Sequence, residues 1–362
     1  MPASWIPFTL TSIEIRDTQS TPFIRAGNLK RQAFVTGVRM STILPGGCDR
    51  LGFRVWIGQN GTLFVPPNYL GLNYEVRVYD QKLCCWLGRI EDIVAHHGEG
   101  GNYFDVTAYG LAVNLDDQAY TSTDVAGVQT SAGVTTALAS APQIDVLNIT
   151  ATGFTLSGAA AINLKMLTIA QVVNWFALFG DSSDNPQMWY VYPQPDGDSE
   201  FTYKARPTTT DVRCRLTDFE ESTWGLVGRQ YSNRAIVQYN NAGSNVTVND
   251  TAGQAVGPGG RNFIRAALLF LPEISQSADG TQAAQVLLNA VLNLRMAATS
   301  LRCKSNAVFT DSNGQPLPPW RVRAGQLLEF TDIIPAEGQS GVFTYNNAAL
   351  LAATQWDEDS QV

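Results

Sequence analysis

The sequence predicts a mainly β chain with a few helices, an α+β architecture in which two small barrel-like β units bracket a mixed middle one. Three observations lead there. From residue 34 to 110, apolar and polar residues alternate with period two, and turn residues interrupt them every ten or so positions. That is the pattern of antiparallel strands with one buried face. The last third repeats the outline: a Val-rich strand, an Asp-initiated turn and a Trp opening the next strand, with Asp311 to Trp320 matching Asp80 to Trp86. Clear helical stripes occur near 168–180 and 279–298. A chain of 362 residues allows two or three domains. The composition shifts place them at 1–120 (a first barrel-like domain), 121–225 (mixed) and 226–362 (a second barrel-like domain carrying the long helix).

The elements follow in chain order. Phe53–Ile57 reads as a strand entering a Gln59-Asn60-Gly61 hairpin turn. Tyr74–Tyr79 alternates apolar and polar residues, turns at Asp80-Gln81, and continues as Trp86–Ile90; Phe104–Tyr109 alternates again. Residues 121–160 hold two charged residues, Asp124 and Asp145, and one aromatic, Phe154. They read either as a loose connector or as a short helix near 131–140 leading into a strand at 144–149. Thr168 is placed to cap a helix with Val172, Val173, Phe176 and Phe179 on one face and Gly180 at its end. A hairpin follows, Met188–Tyr192 and Glu200–Tyr203, turning at Asp196-Gly197. Arg234–Tyr239 and Asn245–Val248 read as strands around Asn241–Gly243, and Gly257–Gly260 as a loop. The long helix carries Ala283, Val286, Leu287, Ala290, Val291 and Leu294 on one stripe, with Asp279 as its cap. Ala307–Thr310, Asp311–Gly314 and Trp320–Ala324 read as strand, turn, strand.

Composition excludes several classes. Hydrophobic residues at 44% and aromatics at 10% exclude disorder for most of the chain. No apolar run approaches the length that spans a membrane as a helix. The first ten residues, MPASWIPFTL, lack the basic and apolar regions of a secretory signal, so the chain is expected to stay in the compartment where it is made. The net charge is −8 with no basic block, which argues against tight binding to phosphate backbones. Of the cations 19 are Arg and 5 are Lys. Arg is favoured and Lys depleted at protein interfaces, so this ratio fits either a chain covered by neighbours or a compositional bias of the gene. Five cysteines (Cys48, Cys84, Cys85, Cys214, Cys303) without C-x-x-C spacing argue against disulfides and zinc. On a strand, Cys84 and Cys85 point to opposite faces.

Candidate chemistry is sparse. The two histidines, His96 and His97, are adjacent and face opposite ways on a strand, so they cannot readily share a metal. Gly257-Pro-Gly-Gly-Arg261 lacks the G-K-S/T of a phosphate loop. Carboxylate pairs stand at Asp116/Asp117, Asp196/Asp198 and Glu220/Glu221, and could serve a glycosidase only if held several ångströms apart across a substrate. Trp189, Tyr190 and Tyr192 could stack sugars or pack a core. No catalytic, cofactor-binding or metal-binding residue is assigned, and the expectation is a chain that is not an enzyme.

The order of parts resembles a family of bacteriophage tail-tip and baseplate hub proteins, also described as minor tail proteins. The resemblance rests on Asn233-Arg-Ala-Ile-Val-Gln-Tyr239 and on the Ala- and Leu-rich segment 281–298. It extends to Gly314-x-Pro316-x-Pro318-x-Trp320-Arg-Val-Arg-Ala-Gly325, to Tyr74–Asp80 with Trp86-Leu-Gly88, and to Thr168–Gly180 with its Trp-bearing hairpin. It implies a virion structural protein, a homotrimeric ring at the tail tip in which two β units per chain match the sixfold tail tube. Its expected partners are further copies of itself, the tube, other baseplate or fibre proteins, and genomic DNA passing through the lumen without specific binding. The ending Trp356-Asp-Glu-Asp-Ser-Gln-Val362 reads as a turn entering a strand, left for a partner or for a further domain. Two other readings stand beside this one: a fibre-attaching tail protein that binds a host glycan, and a cell-wall hydrolase.

Overall fold

The computed structural model describes residues 12–17, 25–28, 34–57, 70–98, 101–121, 125–141, 143–158, 162–225, 232–240, 243–251, 264–292, 297–304, 307–332 and 348–357. The expected hairpin turn at 59–61 and the loop at 257–260 lie outside these residues.

The fold is mainly β, built around an eleven-stranded sheet that curls into half a barrel. Its path runs β2 (Arg25–Asn28), β1 (Ser12–Arg16), β5 (Glu75–Asp80), β6 (Leu83–Gly98), β7 (Gly101–Gly110), β4 (Gly46–Ile57), β9 (Gln187–Pro193), β10 (Ser199–Ala205) and β8 (Val146–Ile149). On the other flank of β4 lie β3 (Phe34–Ile43) and, beyond it, β21 (Ala353–Asp357). The period-two alternation sets the buried face: Phe104, Val106 and Ala108 of β7 point inward with Leu51, Phe53 and Val55 of β4. They share a core with Ile13, Ile15, Val76, Val78, Trp86 and Ile90. Along β5 and β6 the register places Val78 opposite Trp86 and Tyr79 opposite Cys84, so Cys85 is an extra, bulged residue. The bulge overrides the expected alternation, and both thiols are buried.

A second core forms around α1 (Val113–Asp117), α2 (Thr130–Leu138) and α3 (Ile169–Ala177). Of the two readings of 121–160, the helix followed by a strand is the one adopted, as α2 and β8. At α3 the Thr168 hydroxyl accepts from the Gln171 N–H at 3.2 Å, and the Gln171 side chain accepts from the Thr168 N–H at 2.9 Å. This reciprocal cap fixes where the helix starts. The same core receives Trp189, Val191, Phe201 and Tyr203 from β9 and β10. It also receives Ala235, Val237, Leu271, Ala283, Ala284 and Leu288 from a small layer in which α4 (Ser277–Leu292) covers three strands. These are ordered β14 (Ser244–Asn249), β13 (Arg234–Tyr239), β15 (Ala266–Leu271).

A third, smaller core lies under β18 (Pro316–Leu317), β17 (Phe309–Asp311), β11 (Val212–Cys214), β19 (Leu327–Phe330) and β20 (Ala348–Leu350), in that sheet order. A two-stranded ribbon of β12 (Phe219–Gly225) and β16 (Ala297–Cys303) adjoins it. The long helix is therefore shorter than its stripe suggests. Ala297 and Ala298, expected at its end, instead pair with Gly225 and Trp224, because short apolar residues fit either period and the ribbon decides. Asp279 is no cap: it sits inside the first turn, buried, and accepts from the Ser157 N–H at 2.9 Å and hydroxyl at 2.7 Å. Trp320 opens no strand either. Pro318 and Pro319 hold fixed φ angles and donate nothing, so Pro319–Arg321 forms a 3-10 turn, and the strand comes later at β19. Trp356 is already within a strand, β21, whose register runs from Ala353↔Ile43 to Asp357↔Arg39.

Where the first core meets the second, Gly46 and Gly47 of β4 run parallel to Tyr190 and Val191 of β9. Gly47 has φ +91°, and a β-carbon there would lie 2.3 Å from the Val191 carbonyl oxygen. Gly47→Ala should therefore cost about 2–4 kcal/mol, through left-handed strain and a backbone clash together. Gly52→Ala on the same strand meets no atom within 4 Å and should stay within about 0.5 kcal/mol of wild type. Denaturant melts followed by circular dichroism check the pair; equal loss in both variants would contradict the packing argument.

Candidate functional site: the groove over the β9–β10 hairpin

A groove lies on the outer face of β9 and β10, because alternation sends Tyr190, Tyr192, Glu200, Thr202 and Lys204 to that side. Its volume is about 510 Å³, and Asn148 of β8, Asp211 and the segment Arg323–Gln326 form its walls. The hairpin is aimed by its own tip. Gly197 takes φ +101°, and a β-carbon there would fall 2.3 Å from Nη1 of Arg77. The Pro195 carbonyl accepts from the Cys84 N–H at 3.1 Å, which ties the tip to β6.

The groove's polar groups are largely committed to one another. Glu200 accepts from Gln194 at 2.7 Å, Asn148 at 2.8 Å and Thr202 at 3.2 Å. Burial alone would raise its carboxyl, but these hydrogen bonds outweigh it and hold the pKa below the ordinary range. Asp211 accepts from the Leu327 N–H at 2.9 Å, and Gln326 from the Arg323 N–H at 2.7 Å. The Tyr192 hydroxyl donates to the Ala324 carbonyl at 2.8 Å. The Arg323 guanidinium lies 4.8 Å from the Tyr192 ring and donates to the Cys85 carbonyl at 3.1 Å. Lys204 stands 5.7 Å from the Tyr190 ring. Glu200 and Asp211 are each held by neighbours and frame no acid–base pair, so the arrangement works as a polar joint between the hairpin and the 323–326 segment.

The sequence candidates are scattered. Trp189 faces the core, stacks on Phe201 at 5.7 Å and donates to Asn174 at 2.7 Å; it therefore cannot stack a sugar, while Tyr190 and Tyr192 line the groove. His96 stacks on Tyr103 at 4.7 Å and lies 3.1 Å from Asp105, whereas His97 contacts Asn102 at 2.6 Å. Asp117 pairs with Arg89 at 2.7 Å, and burial together with Asp117 raises the Asp116 carboxyl. Asp196 accepts the Asp198 N–H at 3.3 Å within the hairpin turn. Glu220 is exposed beside Arg302 at 3.5 Å. The structure brings neither Asp116/Asp117 nor Asp196/Asp198 across a cleft, and the Glu221 side chain lies outside the described residues. Among the described residues no group of three or more His, Cys, Asp or Glu is arranged to hold a metal.

What the sequence did not reveal is the role of 318–326. Trp320 donates from its indole to the buried Asp80 at 3.2 Å and meets Trp356 edge-on at 5.4 Å. The Ala324 N–H donates to the Thr42 hydroxyl at 2.9 Å, which in turn bonds Thr354 at 2.6 Å. The Pro-x-Trp spacing was visible, but its partners stand some 240 residues upstream in the chain.

No protein-family model matches the chain, and no curated protein matches it in sequence. Solved structures do match in fold. The 43 kDa tail protein of prophage MuSo2 from Shewanella oneidensis superposes with a TM-score of 0.60 at 12% identity, covering 96% of this chain and 94% of that one. A tail protein from Neisseria meningitidis MC58 gives 0.54 at 12% identity, with 96% and 92% covered. A prophage tail protein from Listeria monocytogenes EGD-e gives 0.53 at 11% identity, with 95% and 90% covered. The chain thus shares, over nearly its whole length, the fold of these solved tail proteins.

The cysteines give a direct check on the packing. Burial is the largest influence on each, pushing the Cys48 thiol from 9.0 up to about 11 and Cys85 up to about 12, and raising Cys84 and Cys214 further. These four should resist a thiol reagent at pH 8 in the native protein and react on unfolding. The sign for stability follows. Above pH 9 the unfolded thiols ionise while the folded ones stay protonated, so stability should fall as pH rises from 9 towards 11. Mass-spectrometric counting of native alkylation, with melts at pH 8, 9 and 10, measures both.

Proposed function

We propose that the chain is a structural component of a phage tail tip, a ring-forming hub in which three copies join the sixfold tail tube to a threefold structure below. The observation that carries this reading is the agreement in fold with solved prophage tail proteins over 96% of the chain. Domains at 1–120, 121–225 and 226–362 would give each copy a β unit at either end, so that three copies present six similar positions. Closed rotational symmetry suits a chain with this many strand edges, since it covers edges that would otherwise pair at random. The net charge of −8 is consistent with a lumen wall along which DNA slides without sticking. The partners on this reading are further copies of the chain, the tube and other baseplate or fibre proteins, and its place is the virion. Structural work of this kind requires no reaction, and the groove's carboxylates, already engaged by neighbours, are consistent with that.

Negative-stain microscopy of the purified protein, with mass photometry on the same sample, tests the reading. Rings with threefold or pseudo-sixfold averages and a mass about three times that of one chain are the expected result. A protein that stays monomeric at all concentrations, alone and with tail tubes, would refute it.

A further inference from the structure

We propose that β15 is the edge through which one copy of this chain docks on the next, and that it pairs with β8 of that neighbour. This rests on the ring reading above and names the surface that would close the ring.

The strand itself makes the case. β15 reads Ala-Ala-Leu-Leu-Phe-Leu and is the outermost strand of the order β14-β13-β15. Its alternation sends Leu271 into the core, while Leu268 stays 75% exposed and Phe270 59%. Ile264, just upstream, is 48% exposed. A single exposed leucine is ordinary. Three large apolar side chains within seven positions, two on β15 and one just before it, form a patch of the size that usually marks a contact surface, on the order of a few hundred Å². The opposite edge of the same sheet is built differently: β14 turns Asn245, Thr247 and Asn249 outward, polar groups that make an edge unattractive to a partner. β15 carries no charge and no proline to discourage pairing.

The occupant can be argued from the same chain. β8, Val-Leu-Asn-Ile, is the outermost strand of the large sheet; it is also uncharged, with Leu147 42% exposed. Joining β15 to β8 would desolvate no ionised group, would add main-chain hydrogen bonds to two edges and would cover Leu268, Phe270 and Leu147 together. The two edges are different surfaces of one molecule. A contact between unlike surfaces propagates head to tail and closes as a ring where the rotation per copy divides the circle, whereas β15 meeting β15 across a twofold axis would stop at a dimer. Both strands contribute to the middle core, β15 through Leu271 and Leu269 and β8 through Ile149, so that core would hold both edges at a fixed angle.

Sedimentation velocity and mass photometry on full-length variants test this. Leu268→Lys with Phe270→Lys should raise the concentration needed for assembly by roughly a hundredfold, the scale of losing two central apolar anchors, and Leu147→Lys separately by roughly tenfold. Below the concentration at which the wild type assembles, melting temperatures should match the wild-type value, since the three positions are exposed. If the lysine variants misfold, Leu268→Ser with Phe270→Ser gives the same comparison. A chain carrying Leu268→Cys and Leu147→Cys should cross-link between copies on oxidation, and neither single variant should. A wild-type ring that survives the β15 substitutions overturns this inference and leaves the hub reading standing. Loss of assembly on changing β15 but not β8 overturns the pairing, as does a wild-type protein that stops at a dimer. A wild-type protein that never assembles removes the hub reading and this inference together.

Discussion

The rest of the structure depends on the approach of two backbones at Gly47 and Val191. A parallel bridge between β4 and β9 merges the first β unit and the middle hairpin into one sheet. Any side chain at position 47 would hold the two strands apart, because its β-carbon would overlap the Val191 backbone. The consequence is structural continuity. The hairpin's inner face completes the middle core through Trp189, Val191, Phe201 and Tyr203. Its outer face offers Tyr192 to the first core and Tyr190 to the groove.

Two further ties reinforce that joint from the opposite end of the chain. Trp320 bonds Asp80, a carboxylate that would be costly to bury without a donor, and Arg321 stands 3.9 Å from the same group. Trp356 packs on Trp320 while its strand, β21, pairs with β3. Segments from both ends of the sequence therefore close around β3, β5 and β6. Removing the 318–326 segment would leave Asp80 without its indole donor and the Tyr192 hydroxyl without its acceptor. The groove is the visible seam of this closure, which is why its polar groups bond chiefly to each other.

Legibility in the sequence followed the range of the forces involved. Local effects could be read directly. The alternation of Phe104, Val106 and Ala108 gave β7, and Thr168 gave the start of α3, because each depends on neighbours a few residues away. Errors came where a distant partner overrode a local preference. Ala297 and Ala298 left the helix for a ribbon with β12; Asp279 was drawn from capping to bonding Ser157; Trp320 was held by a proline turn against Asp80. The bulge at Cys85 belongs to the same class, since register between β5 and β6 is a property of the pair and not of either strand. Of the three aromatics flagged on the hairpin, strand period alone separates Trp189 from Tyr190 and Tyr192, but it does not say which side is solvent.

The distribution of charge connects the joint to the surface. With 15% charged residues the chain has few ionised groups to place, and many of those described are used within the molecule. Arg77 pairs with Glu75, Arg89 with Glu91 and Asp117, Arg213 with Glu329, and Arg215 with Asp218. The more exposed of these, such as Arg89 with Asp117, contribute little to stability, whereas Arg77 is held within the fold. Their larger effect is to neutralise cations that would otherwise gather phosphate or disfavour an apolar neighbour. What remains on β15 and β8 is uncharged and edge-on, a surface whose main unmet requirement is another strand. In a protein whose groove over the β9–β10 hairpin has its carboxylates bonded to neighbouring groups, the physical case for function therefore rests on strand edges, where a second chain can supply pairing partners.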